Sequence, residues 1–247
     1  MFPLLDAFNG QKAHGDRARG KLGTLRRTAR RPDRGPKAGY FRTRDGLQVG
    51  FVARPKEAPP ESGVVYARPD YMSDDGRSTW RARLLAYNDE PAENELGLLP
   101  AYRLYARQEY RDLVETFGPE RIFILSAGWG LIRSNFLKPY YDITFSNSAP
   151  RYKKREKSKP YEDFCQLPDD TRAPIVFLGG LDYQPLFENL TADLPTEKVV
   201  FHRSDAVSKR IGFTYVKYDT PDQRRWHYLC ARDLVAGKQP FPVARAP

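Results

Sequence analysis

Apolar residues along this chain fall into short uncharged runs that predict buried strands. Residues 122–125, 173–178 and 199–201 are almost entirely apolar, which is typical of strands covered on both faces of a sheet. Residues 212–218 alternate in the manner of one further strand. Each of the first two runs is followed directly by small residues, which predicts a tight turn at the end of each strand.

Helical spacing separates these runs. Residues 101–117 carry apolar side chains three and four positions apart and stop at a Gly-Pro pair, which predicts one continuous helix. Residues 79–85, 182–190 and 221–236 predict three more helices. Strands that alternate with helices in this way favour a parallel sheet.

The N-terminal part has a different pattern. Residues 40–53 predict a β-hairpin with Asp45 and Gly46 as its turn, and residues 64–67 predict another strand. Residues 1–38 are rich in Gly, Arg and Pro with little periodicity, which predicts an arm that gains order on meeting a partner.

These patterns together predict the domain organisation and the fold class. We expect a basic arm at 1–38 and a single α/β domain at 39–247, with a β-rich elaboration at 39–75 and a core at 76–236. The expected core is a mostly parallel, Rossmann-like sheet with helices on both faces.

The small residues after two of the predicted strands indicate a ligand site. Parallel strands end at one edge of a sheet, and open α/β sheets bind ligands there. Glycines allow main-chain amides to approach a phosphate or a base, and aromatic rings offer surfaces for stacking. The candidate base- or nucleotide-binding residues are Ser126, Gly128, Trp129, Gly130, Tyr141, Asn147, Gly179, Gly180, Tyr183 and Asn88. The alternative is that Trp129 packs on the core and that the glycines only form turns.

Three carboxylates are candidates for catalysis. Asp142 lies between aromatic residues in the loop after the first glycine turn, and it is the first choice. Asp182 and Asp89 are held in reserve. The plain alternatives are that Asp142 caps a turn or pairs with Arg133 or Lys138, and that Asp182 is a helix N-cap.

Positive charge is concentrated in two segments. The chain has a formal charge of +10, and residues 1–44 contain twelve Lys and Arg against three Asp. Residues 151–159 contain six Lys and Arg against one Glu. Such segments suit nucleic-acid phosphates, although a solvated basic tail is the plain alternative. The candidate phosphate-binding residues are Arg151, Lys153, Lys154, Arg155, Lys157, Arg26, Arg27, Arg30 and Arg31.

The remaining composition narrows the classes of protein. Two cysteines and three histidines without ligand spacing predict no metal site, no cofactor and reduced thiols. No apolar run reaches the roughly 18 residues of a membrane span, and the first residues do not resemble a signal peptide. We therefore expect a cytoplasmic protein without a membrane partner.

The order of motifs from Leu104 onward resembles the YaaA-like superfamily. The resemblance rests on residues 124–132, which read ILSAGWGLI, on Tyr140, Tyr141 and Asp142, and on residues 177–180 with Tyr183. It covers roughly residues 80–235. It implies an α/β domain associated with nucleic acid, and one branch resembles antiviral DNA glycosylases that remove modified, glucosylated cytosine from phage DNA. Ser126, Gly128, Asp142 and Gly179 carry over as motif positions without assigned roles.

The expected function is therefore base excision from phage DNA. An N-glycosylase must flip the modified base out of the duplex, and a carboxylate such as Asp142 then stabilises positive charge on the sugar or activates water. The first rival is a nucleotide- or DNA-binding protein without catalysis. A nuclease ranks third because no carboxylate cluster has metal-ligand spacing.

Overall fold

The computed structural model describes residues 4–7, 40–89, 94–157 and 161–239. These residues form twelve strands and four α-helices. The strands are β1 Leu4–Ala7, β2 Phe41–Arg42, β3 Gln48–Phe51, β4 Val64–Ala67, β5 Leu99–Pro100, β6 Ile122–Ser126, β7 Gly130–Arg133, β8 Leu137–Lys138, β9 Phe164–Cys165, β10 Ile175–Gly179, β11 Lys198–His202 and β12 Thr214–Lys217. The helices are α1 Trp80–Asp89, α2 Glu109–Phe117, α3 Gln184–Thr191 and α4 Trp226–Val235.

A seven-stranded sheet forms the centre, in the order β12-β11-β10-β1-β6-β7-β9. The five strands from β12 to β6 run parallel to one another. Strand β1 lies between β6 and β10, so these two strands are not neighbours. The four residues of β1 therefore form the middle strand of the sheet.

The predicted Rossmann-like sheet with helices on both faces is wrong. Strand β7 runs antiparallel to β6, which makes the large sheet mixed. The sheet β2-β3-β4 is also mixed, and β5-β8 is antiparallel. Four helices within the described residues are too few for alternating strand-helix-strand units around a sheet of this size. The fold is a mixed α/β arrangement.

Most individual elements match the sequence patterns. The hairpin at 40–53 is confirmed as β2 and β3, and the strands at 64–67, 122–125 and 199–201 are confirmed as β4, β6 and β11. The single helix predicted at 101–117 is wrong. Residues Ala101–Leu104 form a short 3-10 turn, Tyr105 is extended, and only α2 is α-helical. The main-chain N–H groups of Ala101 and Tyr102 donate to the carbonyl oxygens of Phe136 and Ser134, which fixes this turn to the segment before β8.

The small sheet packs against the turn that joins β6 to β7. Phe51 at the end of β3 has its ring centroid 5.3 Å from that of Trp129 and 5.6 Å from that of Trp80. All three side chains are buried. This aromatic contact joins the N-terminal elaboration to the central sheet. Within the described part of the chain, none of the helices has the length and apolar content that crossing a bilayer requires.

Candidate functional site

The turn after β6 is closed by its own side chains. The hydroxyl of Ser126, which is fully buried, accepts hydrogen bonds from the main-chain N–H groups of Gly128 and Trp129 at 3.3 and 3.2 Å. A Cβ atom on Gly128 would lie 2.8 Å from the ring of Tyr141. Gly130 has a φ of +82°, and a Cβ there would overlap the main chain of Phe164. The glycines thus allow close packing of protein against protein.

Two buried arginines hold the carbonyl groups of this turn. Arg81 on α1 donates to the carbonyl oxygens of Trp129 and Gly128 at 3.0 and 3.1 Å. Arg155 donates to the carbonyl oxygen of Ala127 at 3.0 Å and forms two further hydrogen bonds to Asp163. Burial lowers the pKa of Arg81, against the opposing charge of Asp163. The turn is therefore a rigid element.

The predicted tyrosines belong to a packed cluster. The hydroxyls of Tyr141 and Tyr105 lie 2.8 Å apart, and both residues are buried. Burial raises the pKa of Tyr141 and of Tyr183. Tyr183 is buried against Phe145, with ring centroids 5.1 Å apart. Neither tyrosine presents an open face for stacking.

An open aromatic cavity lies on the other side of the turn. Its volume is about 340 Å³, and its lining includes Phe41 and Trp80 together with the almost fully buried Phe51 and Trp129. The Phe41 and Trp80 rings meet edge to face at 6.1 Å. We call this space the aromatic cavity. Its other lining residues are Thr43, Arg44, Arg83, Leu84, Ala86, Tyr87, Leu96, Leu98 and Pro139.

Few polar groups line this cavity. The indole N–H of Trp129 is buried and has no hydrogen-bond partner among the described residues. Arg44 and Arg83 also line it, and they form ion pairs with Glu95 and Asp74 respectively. A mainly apolar cavity of this size with a few polar groups has the properties of a small-ligand site.

Asp142 is tied to the wall of the aromatic cavity through its main chain. Its N–H donates to the carbonyl oxygen of Phe51 at 2.8 Å. Its carboxylate pairs with Lys153 at 2.5 Å, and both side chains are partly exposed. Burial opposes the charge of Lys153, but the hydrogen bond to Asp142, the negative charge of Asp142 and the interactions with Tyr152 together outweigh it, so the pKa of Lys153 is raised.

The two reserve carboxylates lie elsewhere. Asp182 pairs with Lys157 at 2.8 Å. It does not cap α3 as predicted, because the N-cap position is Tyr183 and no side chain caps the helix. Asp89 is exposed at the end of α1. The side-chain amide of its neighbour Asn88 donates to the carbonyl oxygen of Leu137 and accepts a hydrogen bond from the N–H of Leu137. These two bonds fix α1 to β8.

The remaining predicted residues are divided between the protein interior and its surface. Gly179 ends β10, whereas Gly180 has open space where a side chain would be. Asn147 accepts a hydrogen bond from Lys154 at 2.5 Å. Arg151 is largely exposed and pairs with Glu57, while Arg155 is buried. The predicted phosphate-binding residues Arg26, Arg27, Arg30 and Arg31 lie outside the described residues.

The sequence patterns missed four of the five aromatic residues that line the aromatic cavity, since only Trp129 was among the predicted site residues. Phe41, Phe51 and Trp80 come from β2, β3 and α1, which are separate in sequence. Of the predicted site residues, Trp129 alone lines this cavity. No group of three or more metal-ligating side chains occurs in the described ranges.

Comparison with protein-family models, with curated proteins and with solved structures finds no match for this chain. The resemblance to the YaaA-like superfamily therefore stays a prediction, and the function must be argued from the cavity and the charges around it.

Proposed function

We propose that this protein binds DNA, takes one unstacked base into the aromatic cavity and excises that base as an N-glycosylase. The proposed substrate is a modified cytosine of phage DNA, such as a glucosylated one, which fits an antiviral role. The aromatic cavity is the single observation that carries the proposal. The base-excision step continues the resemblance to the YaaA-like superfamily.

Base binding is supported by the chemistry of the cavity wall. Phe41 and Trp80, which are less completely buried than Phe51 and Trp129, supply rings at this cavity, and a base stacked on an aromatic ring gains about 1–3 kcal/mol. The N–H of Trp129 has no hydrogen-bond partner among the described residues but is sealed from solvent, so it can donate to a base only after a side-chain adjustment. A volume of about 340 Å³ leaves room for a base with a bulky substituent.

DNA binding is supported by charge. The formal charge of +10 is concentrated in residues 1–44 and 151–159. Arg44, at the end of the first of these segments, lines the aromatic cavity. Neutralised phosphates release counterions, so each contact adds affinity that falls with salt.

Asp142 is the proposed catalytic carboxylate. Cleavage of an N-glycosidic bond builds positive charge on the sugar, which a carboxylate stabilises. The hydrogen bond from Asp142 to Phe51 fixes its loop to the cavity wall. The carboxylate stays partly exposed, so a sugar has access to it.

The test compares unmodified DNA with DNA that contains glucosyl-hydroxymethylcytosine. After incubation with the protein, each sample is treated with alkali and sized on a denaturing gel. Breaks that appear in the modified DNA only after alkali would support excision. Breaks without alkali would indicate a nuclease or lyase, and intact DNA in every lane would contradict the glycosylase proposal.

A separate binding test examines the cavity itself. Free nucleosides are titrated into the protein while tryptophan fluorescence is recorded. Trp80→Leu should weaken nucleoside binding by at least about fivefold, as expected for a lost stacking contact. Trp226→Phe is the control, because Trp226 lies on α4 and does not line the cavity. Equal affinity in the two variants would contradict base binding there.

The second candidate function is DNA binding without catalysis. It is favoured by the ion pair between Asp142 and Lys153, which occupies the carboxylate in the ligand-free protein. Nucleoside binding that depends on Trp80, together with intact DNA in the gel assay, would select this function.

A further inference from the structure

A second, polar cleft lies beside the aromatic cavity. Its volume is about 200 Å³, and the segment directly after β3 forms part of its lining. Phe51 lines the aromatic cavity and Ala53 lines the cleft. We call this space the cationic cleft. Its lining residues are Ala53, Arg54, Pro55, Lys56, Glu57, Arg68, Tyr71, Lys154, Arg155, Glu156 and Tyr161.

The lining side chains carry five positive and two negative charges. Arg54 pairs with both Glu57 and Glu156. Arg68 and Arg155 are each held by two hydrogen bonds, to Asp70 and to Asp163.

The two lysines of the cleft differ from its arginines. No carboxylate pairs with Lys56 or Lys154 among the described ion pairs. Among the described residues, the ammonium group of Lys154 donates to the amide oxygen of Asn147. These two ammonium groups are the charges available to an incoming anion.

Tyr161 lies between the guanidinium groups of the cleft. Its ring centroid is 4.4 Å from Cζ of Arg68 and 4.0 Å from Cζ of Arg155. Its hydroxyl is buried without a hydrogen-bond partner among the described residues, and so is the Nε–H of Arg155. Burial raises the pKa of Tyr161, so its hydroxyl remains a donor.

Unpartnered buried donors are costly, at about 1–3 kcal/mol each. The Nε–H of Arg155 is only a donor, and the hydroxyl of Tyr161 is able to donate. Both therefore match a ligand rich in acceptor oxygens. Both atoms are sealed from solvent in this structure, so binding includes a small side-chain adjustment.

We propose that the cationic cleft binds a phosphate group of the nucleic acid, held by Lys56, Lys154 and the hydroxyl of Tyr161. This inference rests on the proposed function, because it supplies a backbone anchor next to the site for the base. Arg155 links the two spaces: it lines the cleft and holds the carbonyl oxygen of Ala127 in the turn that carries Trp129.

The first experiment uses inorganic phosphate and the full chain. Thermal shift is recorded in phosphate and in sodium chloride at equal ionic strength. Phosphate should raise the Tm of the unaltered protein, and Tyr161→Phe should weaken its binding about three- to tenfold, as expected for one lost hydrogen bond. The urea midpoint of Tyr161→Phe should not fall, since the Tyr161 hydroxyl has no hydrogen-bond partner among the described residues.

The second experiment measures binding of a single-stranded oligonucleotide as a function of salt. Lys56→Gln/Lys154→Gln should weaken binding and reduce the salt slope, since each lost phosphate contact removes about 0.7 from that slope. The control is Lys209→Gln/Lys238→Gln, which removes the same charge from exposed positions that do not line the cleft. The control should change the slope less.

The outcomes separate this inference from the proposed function. Phosphate binding without any nucleoside binding would support the cleft and contradict the aromatic cavity. Nucleoside binding without a phosphate-induced rise in Tm would support the aromatic cavity and contradict phosphate binding in the cationic cleft. Equal oligonucleotide affinities and salt slopes in the two double variants would overturn the assignment of the cleft to nucleic-acid phosphate, even where inorganic phosphate binds.

Discussion

Arg81 donates a hydrogen bond of 3.0 Å to the carbonyl oxygen of Trp129, which is 48 positions further along the chain. The same guanidinium donates to Gly128 at 3.1 Å. A side chain of α1 thus fixes the main chain that carries one wall of the aromatic cavity. Trp80, the residue before Arg81, supplies another wall.

Arg81→Lys should destabilise the protein by about 3 kcal/mol. A lysine cannot reproduce the planar fork that reaches two carbonyl groups, and hydrogen bonds to charged groups contribute about 1.5–3 kcal/mol each. Urea unfolding measures the change. The matched control is Arg83→Lys on the same helix, where the side chain is more exposed and pairs with Asp74. Equal losses in the two variants would contradict the role assigned to Arg81.

Gly130→Ala should be severely destabilising, by about 3 kcal/mol or more. Its φ of +82° disfavours any Cβ, and that atom would overlap the main chain of Phe164. Gly180→Ala is the matched control, because nothing lies within 4 Å of its added Cβ. Its effect should stay within about 1 kcal/mol. Thermal unfolding measures the loss of stability in both variants. A loss at Gly130 no larger than the loss at Gly180 would contradict close packing at Gly130.

Local sequence patterns predicted most elements but not how they assemble. Uncharged runs predicted β6, β10 and β11, because burial on both faces leaves a compositional signal. Strand β1 was missed because its four residues adjoin a segment rich in Gly, Arg and Pro. Strand β7 was missed because a glycine turn after a buried strand is also typical of a turn into a helix.

The candidate site was harder to predict because its residues are far apart in the sequence. The walls of the aromatic cavity come from β2, β3, α1 and the turn after β6, and only tertiary packing brings them together. Arg81 was missed because an arginine at a helical position is usually exposed. Trp129 was found because two flanking glycines mark it in the sequence.

Stability should fall as the pH is lowered below about 6.5, because of His227. Burial, followed by the positive charge of Arg107, lowers the pKa of His227 to about 4, with Asp222 opposing. Between the two pKa values the unfolded chain binds a proton that the folded protein excludes. Linkage then gives a loss of about 2 kcal/mol between pH 7 and pH 5.

His227→Gln tests this assignment. The variant lacks the titrating imidazole, so its free energy of unfolding should depend less on pH over the same range, whatever its stability at pH 7. Urea unfolding at pH 5, 6 and 7 gives both slopes. Identical slopes in the variant and the unaltered protein would exclude His227 as the source.

Asp142→Asn should abolish base excision while DNA binding is retained. Loss of a charge-stabilising group at the reacting centre typically lowers the rate about 10²–10³-fold. DNA affinity should stay equal or rise, because the variant frees Lys153 from its ion pair. Alkali-sensitive breaks in modified DNA report the rate, and a salt titration of binding reports the affinity.

The control for this variant is Asp205→Asn. Asp205 also pairs with a lysine, Lys217, at 2.9 Å, but it lines neither the aromatic cavity nor the cationic cleft. The Asp205→Asn variant should excise the base at an unchanged rate. This result would show that excision needs the carboxylate of Asp142 and not merely the same total negative charge. If Asp182→Asn lost excision and Asp142→Asn kept it, the catalytic role would pass to Asp182, whose partner Lys157 belongs to the same basic segment as Lys153.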